Sequence, residues 1–153
     1  MDNSKLSAAE FKLNTPEHRD SGFITILSTF GYPGLQVLLD GEYRSVKPIY
    51  NQLVVNIGST LMRVTNFTMK ATYHRVLDIG VERFSSPFFL RPKYSATIPS
   101  NLLAPEEDAT EPPIVFGPWL VDNLIKTSIE WKGLVVPNMS KRRRNKQGQI
   151  ING

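Results

Sequence analysis

Two histidines occur in the 153 residues, and both stand where an imidazole could bind a metal. His18 precedes Asp20 by two residues; in extended backbone that spacing turns both side chains to one face. His74 lies 56 positions after His18, within another strand-like run. Two imidazoles and one carboxylate can cap one face of an octahedral Fe(II) ion and leave three positions open. Those positions suffice for a bidentate cosubstrate and dioxygen together. Taken singly, the pieces say less. A His-x-Asp pair recurs by chance, and a lone histidine is more often a surface or hydrogen-bonded residue than a ligand. The chain has no cysteine, which excludes disulfides, thiolate metal sites and a cysteine nucleophile.

The elements that must position these residues read as short strands. Residues 23–27 are β-branched and apolar, and Gly31-Tyr32-Pro33-Gly34 breaks the run. Leu35–Leu39 follows, then Asp40-Gly41, a strong hairpin signal, with 43–46 as the return strand. Pro48 closes that strand, and Leu53–Ile57 is the next. Gly58 opens a turn into a helix-like stretch over 59–66. Residues 71–77 and 83–90 form two more strands, separated by a turn at Asp78-Ile79-Gly80. Strands this short and regularly spaced predict a sandwich or barrel rather than a parallel α/β sheet. Residues 99–113 are rich in proline and acid, with Glu106-Glu107-Asp108, and read as a surface loop. The spacing of Leu120, Val121, Leu124 and Ile125 predicts a helix over 119–128.

Composition narrows the function classes. With 41% hydrophobic and 21% charged residues, the chain is globular rather than disordered throughout. No apolar run reaches the roughly 18 residues of a membrane span, and the opening MDNSKLSAAEFK lacks the apolar core of a signal peptide. A cytoplasmic location without a membrane partner is the expectation. The net charge is +4, but residues 141–146 supply five positive charges, and the remainder stands at −1. A near-neutral body argues against a nucleic-acid surface. The basic run is expected to be a solvated end, with nuclear import or RNA contact as the alternative.

The stretch from His18 to Ile98 resembles the isopenicillin N synthase-like group of iron and 2-oxoglutarate-dependent oxygenases. His18-Arg19-Asp20-Ser21-Gly22-Phe23-Ile24-Thr25-Ile26-Leu27 resembles the group's first-ligand strand. Gly34-Leu35-Gln36-Val37, Asn56-Ile57-Gly58 and Thr65-Asn66 before Lys70-Ala71 match further landmarks in order. His74-Arg75-Val76 resembles the distal ligand motif; Arg83-Phe84-Ser85 and Pro87-Phe88-Phe89 follow at the expected distance. Gly117-Pro118-Trp119-Leu120 is similar to the start of the group's C-terminal helix.

The resemblance implies a β-dominated double-stranded β-helix, or jelly roll, with a C-terminal α-helix. It implies that His18, Asp20 and His74 ligate Fe(II). Arg83 and Ser85 would bind a carboxylate: that of 2-oxoglutarate in most of the group, or of the peptide substrate in isopenicillin N synthase. A guanidinium offers a planar fork to a carboxylate, and a hydroxyl on the same strand face adds a donor. Otherwise Arg83 would pair with Glu82 or Asp78 on an exposed strand. The implied function is an oxidoreductase that uses O2 and 2-oxoglutarate on a small organic substrate. An oxidase working without 2-oxoglutarate, or a truncated relative that binds metal only, are the alternatives.

On this reading 1–13 is an approach segment, 14–98 the oxygenase core, 99–135 the acidic loop and C-terminal helix, and 136–153 a basic, disordered tail. Only 17 residues precede His18, so the N-terminal part of the jelly roll, with one wall of the cleft, is expected to be lacking. Uncovered barrel edges would invite self-association. Phe88 and Phe89 are expected to fill the core, and Asn56 and Thr65 to serve strand pairing and turns. Lys70 would pack its stem beside the barrel, while Trp119 and Leu120 would anchor the helix.

Overall fold

The computed structural model describes residues 12–103, 111–127, 143–144 and 150–151. Two antiparallel sheets carry the fold. The first contains β1 (Leu13–His18), β6 (His74–Leu77), β3 (Leu35–Leu39) and β4 (Glu42–Ser45), in the order β1-β6-β3-β4. The second contains β5 (Leu53–Ile57), β2 (Ile24–Ser28) and β7 (Ser86–Leu90), in the order β5-β2-β7. Apart from the β3–β4 hairpin, each connection from β1 to β7 crosses from one sheet to the other. That winding is a double-stranded β-helix, as expected.

The hairpin forms where Asp40-Gly41 predicts it. Both residues have positive φ, +53° and +81°, the requirement of a primed two-residue turn. Alternation then sorts each strand into two faces. Leu27, Leu35, Val37, Val54, Val76 and Phe89 point into one cavity between the sheets. On β7 the neighbouring Phe88 therefore turns outward and is 62% exposed, together with Leu53 and Val55 on β5. The expectation that Phe88 fills the core fails, because among the described residues nothing covers that outer face.

The apolar core lies to one side of the cavity. Val64, Ile98 and Phe116 are buried there, with Phe23, Leu61, Ile114, Trp119 and Leu120 packed against them. These residues come from α1 (Ser59–Val64), α2 (Phe116–Thr127), the two-residue strands β8 (Thr97–Ile98) and β9 (Ile114–Val115), and the turn into β2. At about 1.5–3 kcal/mol per buried side chain, this cluster anchors α2, the role expected for Trp119 and Leu120. The helix begins three residues earlier than its apolar spacing predicts, and Ser128 lies outside the described residues.

Several expectations need correction. The stretch 18–27 is not one strand: it bends at 19–23 between β1 and β2. Strand β1 crosses the boundary drawn at residue 13. Strands β6 and β7 start three residues later than expected, after extended lead-ins. The start of the 99–113 segment is no surface loop, since Ser100 and Asn101 are buried and Leu102 N–H donates to Val64 C=O at 2.8 Å. Its end is tied down by Arg63, which binds the Glu111 carboxylate and the Pro112 carbonyl; residues 104–110 lie outside the described residues. Lys70, at the surface after a turn, is exposed rather than packed. The tail expected over 136–153 lies outside the described residues except for β10 (Arg143–Arg144) and β11 (Ile150–Ile151), which pair antiparallel. Among the described residues, no helix is long and apolar enough to cross a membrane.

The bend at 19–23 has a physical cause. Four hydrogen bonds from the start of α1 hold it: Ser59 N–H to Asp20 C=O (2.7 Å), Thr60 N–H to Gly22 C=O (3.1 Å), Gly58 N–H to Phe23 C=O (2.8 Å) and Thr60 Oγ1 to Ser21 C=O (2.6 Å). Such close approach needs Gly58, where an added Cβ would overlap the Gly22 backbone. Gly58→Ala is therefore expected to destabilise the fold at the upper end of the 1–3 kcal/mol typical of overpacking, about 3 kcal/mol. Urea denaturation of the variant beside the parent chain measures this.

Candidate metal centre

His18 ends β1, His74 begins β6, and the register sets the two directly opposite each other. Asp20 enters from the clamped bend. Their ligand atoms all lie within 4.8 Å of one another. The Nε2 atoms of His18 and His74 stand 3.6 and 3.8 Å from Asp20 Oδ1, too far for hydrogen bonds. The structure thus brings together the three residues that the sequence proposes as ligands.

The imidazoles are pre-set as metal donors. His18 Nδ1 lies 2.9 Å from the Pro16 carbonyl, and His74 Nδ1 lies 3.2 Å from the Thr72 carbonyl. A carbonyl can only accept, so each Nδ1 carries a proton, and in the neutral form of each ring Nε2 is left with its lone pair. With both rings neutral, three electron-rich atoms converge without a donor among them. That arrangement calls for a cation or a proton at their centre.

Asp20 is 7% exposed, and isolating an ionised carboxylate from water costs several kcal/mol. Thr25 Oγ1 donates to its Oδ2 at 2.5 Å and Asn56 Nδ2 donates to the same oxygen at 2.8 Å. Hydrogen bonds to a charged group contribute about 1.5–3 kcal/mol each, enough to offset that burial. Desolvation pushes the carboxyl pKa up, but His18, Asn56, Thr25 and the charge of His74 outweigh it and hold the group well below the usual carboxylate range. The same contact with Asp20 raises the His18 pKa, against the opposing effect of burial.

The sequence pattern assigns Asn56 to strand pairing only and does not single out Thr25. A usable signal is nevertheless present: each is the polar residue of an otherwise apolar strand interior, and the two are cross-strand partners. Thr65 does serve the turn after α1, with its hydroxyl bonded to the Leu61 carbonyl at 2.9 Å. Arg75 points away from the site, stacking 3.5 Å from the Tyr43 ring centre and donating to Gln36 at 2.9 Å.

Arg83 and Ser85 line the same cavity, of about 200 Å³, as the three ligand candidates. They precede β7 in extended backbone, so 83, 85, 87 and 89 all face inward. The Nε of Arg83 is buried and has no hydrogen-bond acceptor among the described residues. Asp78, a conceivable partner for it, instead pairs with Lys12 at 3.0 Å. A buried guanidinium nitrogen without an acceptor suits an anionic ligand in the cavity.

Two facing sheets with a His-x-Asp pair and a distal histidine between them define a double-stranded β-helix carrying a facial donor set. Residues 2–92 match the sequence model of the 2OG-Fe(II) oxygenase superfamily. The chain belongs to that superfamily. It is 38% identical over 110 residues to a 2-oxoglutarate-Fe(II) type oxidoreductase of Aspergillus fumigatus, covering 69% of this chain and 33% of the relative. It is 40% identical over 101 residues to gibberellin 20 oxidase 4 of Arabidopsis thaliana, covering 64% and 27%. Among solved structures, a full-length Neurospora crassa protein in complex with alpha-KG and thymine superposes with a TM-score of 0.68 at 32% identity, over 76% of this chain and 38% of that one. JOX2 in complex with 2OG, Fe and JA gives 0.65 at 32% identity, over 75% and 35%. The chain therefore spans about a third of the length of these relatives.

Replacing His74 by Ala removes one of three donors and is expected to weaken Mn(II) binding at least about 100-fold, with the fold retained. Mn(II) titration followed by electron paramagnetic resonance reads this. Protons and metal compete for the same nitrogens. Because the His18 pKa is raised, Mn(II) should bind more weakly at about pH 6 than at about pH 8.

Proposed function

We propose that this chain carries the iron centre of an Fe(II)- and 2-oxoglutarate-dependent oxygenase that oxidises a small organic substrate. One observation carries the reading: three converging ligand atoms of His18, Asp20 and His74 share a cavity with a buried guanidinium nitrogen that has no acceptor among the described residues. The residues fit both groups. His18, Asp20 and His74 would hold Fe(II), and Arg83 with Ser85 would hold the distal carboxylate of 2-oxoglutarate. When bound, Fe(II) supplies the redox chemistry by which O2, with conversion of 2-oxoglutarate to succinate and CO2, oxidises a substrate C–H bond.

The protein's own part is positional. The Nδ1 hydrogen bonds fix both imidazole tautomers, and Arg83 neutralises and orients the cosubstrate carboxylate. The apolar walls Leu27, Leu35, Val37, Val54 and Val76 exclude water around them. Small organic ligands, such as the thymine in the Neurospora crassa complex, support a substrate of that size class. The exposed outer face at Leu53, Val55 and Phe88 supports association through the three-stranded sheet.

Adding Fe(II) and 2-oxoglutarate without oxygen should produce a weak visible charge-transfer band. Its absence in folded, iron-loaded protein would remove 2-oxoglutarate as cosubstrate. Arg83→Gln is expected to weaken 2-oxoglutarate binding by about 2–3 kcal/mol, the loss of a charge-assisted pair, while leaving Mn(II) affinity near that of the parent. Succinate release during turnover separates this chemistry from an oxidase that holds its substrate's own carboxylate on Arg83.

A further inference from the structure

Asp20 has two carboxylate oxygens, and the protein treats them differently. Oδ1 faces the two Nε2 atoms at 3.6 and 3.8 Å, while Oδ2 accepts from both Thr25 and Asn56. Those donors come from facing positions on two strands, since Thr25 and Asn56 are register partners of β2 and β5. Thr25 is itself 4% exposed, so its hydroxyl is held away from competing water. A carboxylate only accepts, so the amide of Asn56 must present Nδ2 to it.

We propose that Thr25 and Asn56 are positioning residues that make Asp20 a single-oxygen ligand. With both donors on Oδ2, only Oδ1 is available at the centre, and a carboxylate that gives one oxygen leaves the remaining face open for cosubstrate and oxygen. The selection is built into the three-stranded sheet, because the two donors are set by its hydrogen-bond register rather than by a loop. Alanine or an aliphatic residue at either position would leave a buried carboxylate oxygen short of a donor. Asp20 would then rotate or take up a proton, and either change withdraws Oδ1.

The inference rests on the metal reading, and its test separates the two. Mn(II) affinity would be measured for Thr25→Val, Thr25→Ser, Asn56→Leu and His74→Ala in the full chain, with circular dichroism and thermal midpoints confirming folding. Thr25→Val and Asn56→Leu are expected to bind about 10-fold more weakly each, and their combination about 100-fold, the range seen when partners of metal ligands are removed. Thr25→Ser keeps the hydroxyl and should stay within about twofold of the parent. The infrared difference spectrum of the Mn(II) complex should show the wide carboxylate splitting of one-oxygen ligation in the parent and a narrower one in the double variant. Unchanged or tighter Mn(II) binding by folded Thr25→Val and Asn56→Leu would overturn the proposal, as would an equal loss in Thr25→Ser. Where the double variant does not fold, the Val-against-Ser contrast at position 25 decides. Equal Mn(II) binding by the parent and His74→Ala would instead remove the metal site itself, and this inference with it.

Discussion

A single carboxylate, Asp20, sits where the two sheets meet, and much of the surrounding structure serves to keep it ionised out of water. Its own carbonyl is held by Ser59 at the start of α1, and its Oδ2 by Thr25 and Asn56 from the three-stranded sheet. Its Oδ1 looks toward imidazoles presented by the four-stranded sheet. Burying that charge alone would cost several kcal/mol, a large fraction of the 5–15 kcal/mol by which a domain is ordinarily stable. The bend, the helix start and the strand register are therefore coupled through one residue, by its backbone carbonyl and its side chain.

This coupling explains where the cavity and the core lie. A jelly roll normally fills the space between its sheets with apolar side chains. Here that space holds Thr15, Thr25, Asn56 and Thr72 beside the site residues, and its apolar side chains, Leu27, Leu35, Val37, Val54, Val76 and Phe89, line a cavity rather than fill it. Hydrophobic stabilisation is displaced to the cluster under α1 and α2, around Val64, Ile98 and Phe116. The same helix that closes the cluster, α1, clamps the bend bearing Asp20. Packing at the core thus reaches the candidate metal centre through four backbone-directed hydrogen bonds rather than through direct contact.

How much of this can be read from the sequence follows from the range of each interaction. The Asp40-Gly41 hairpin and the alternating strands β2, β3 and β5 depend on local turn chemistry and period-two patterning, so they are legible. His18, Asp20 and His74 are legible because the landmarks around them resemble those of a known family; a His-x-Asp pair and a lone histidine by themselves do not suffice. The break of strand at 19–23 is not, since it arises from Gly58 and Thr60, nearly forty residues away. Strands β8 and β9 have two residues each, too few to show a period. The outward turn of Phe88 follows from parity once β7 is known, but an aromatic pair alone does not say which ring faces in.

The donor set carries an electrostatic cost of its own. When both rings are neutral, two Nε2 lone pairs and a carboxylate oxygen converge with no proton between them. A proton on His18 relieves part of the repulsion, which is the direction in which its pKa moves. A divalent cation bound to all three donors would relieve more of it and would favour the native state, since only folding brings His18 and His74, 56 residues apart, together. By mass action, ligand at 100 times its dissociation constant stabilises the native state by about 2.7 kcal/mol. The electrostatic conflict among the donors and the stability that a bound cation would add are then two sides of one arrangement, in which a cavity between the sheets carries a repulsion that its ligand would relieve.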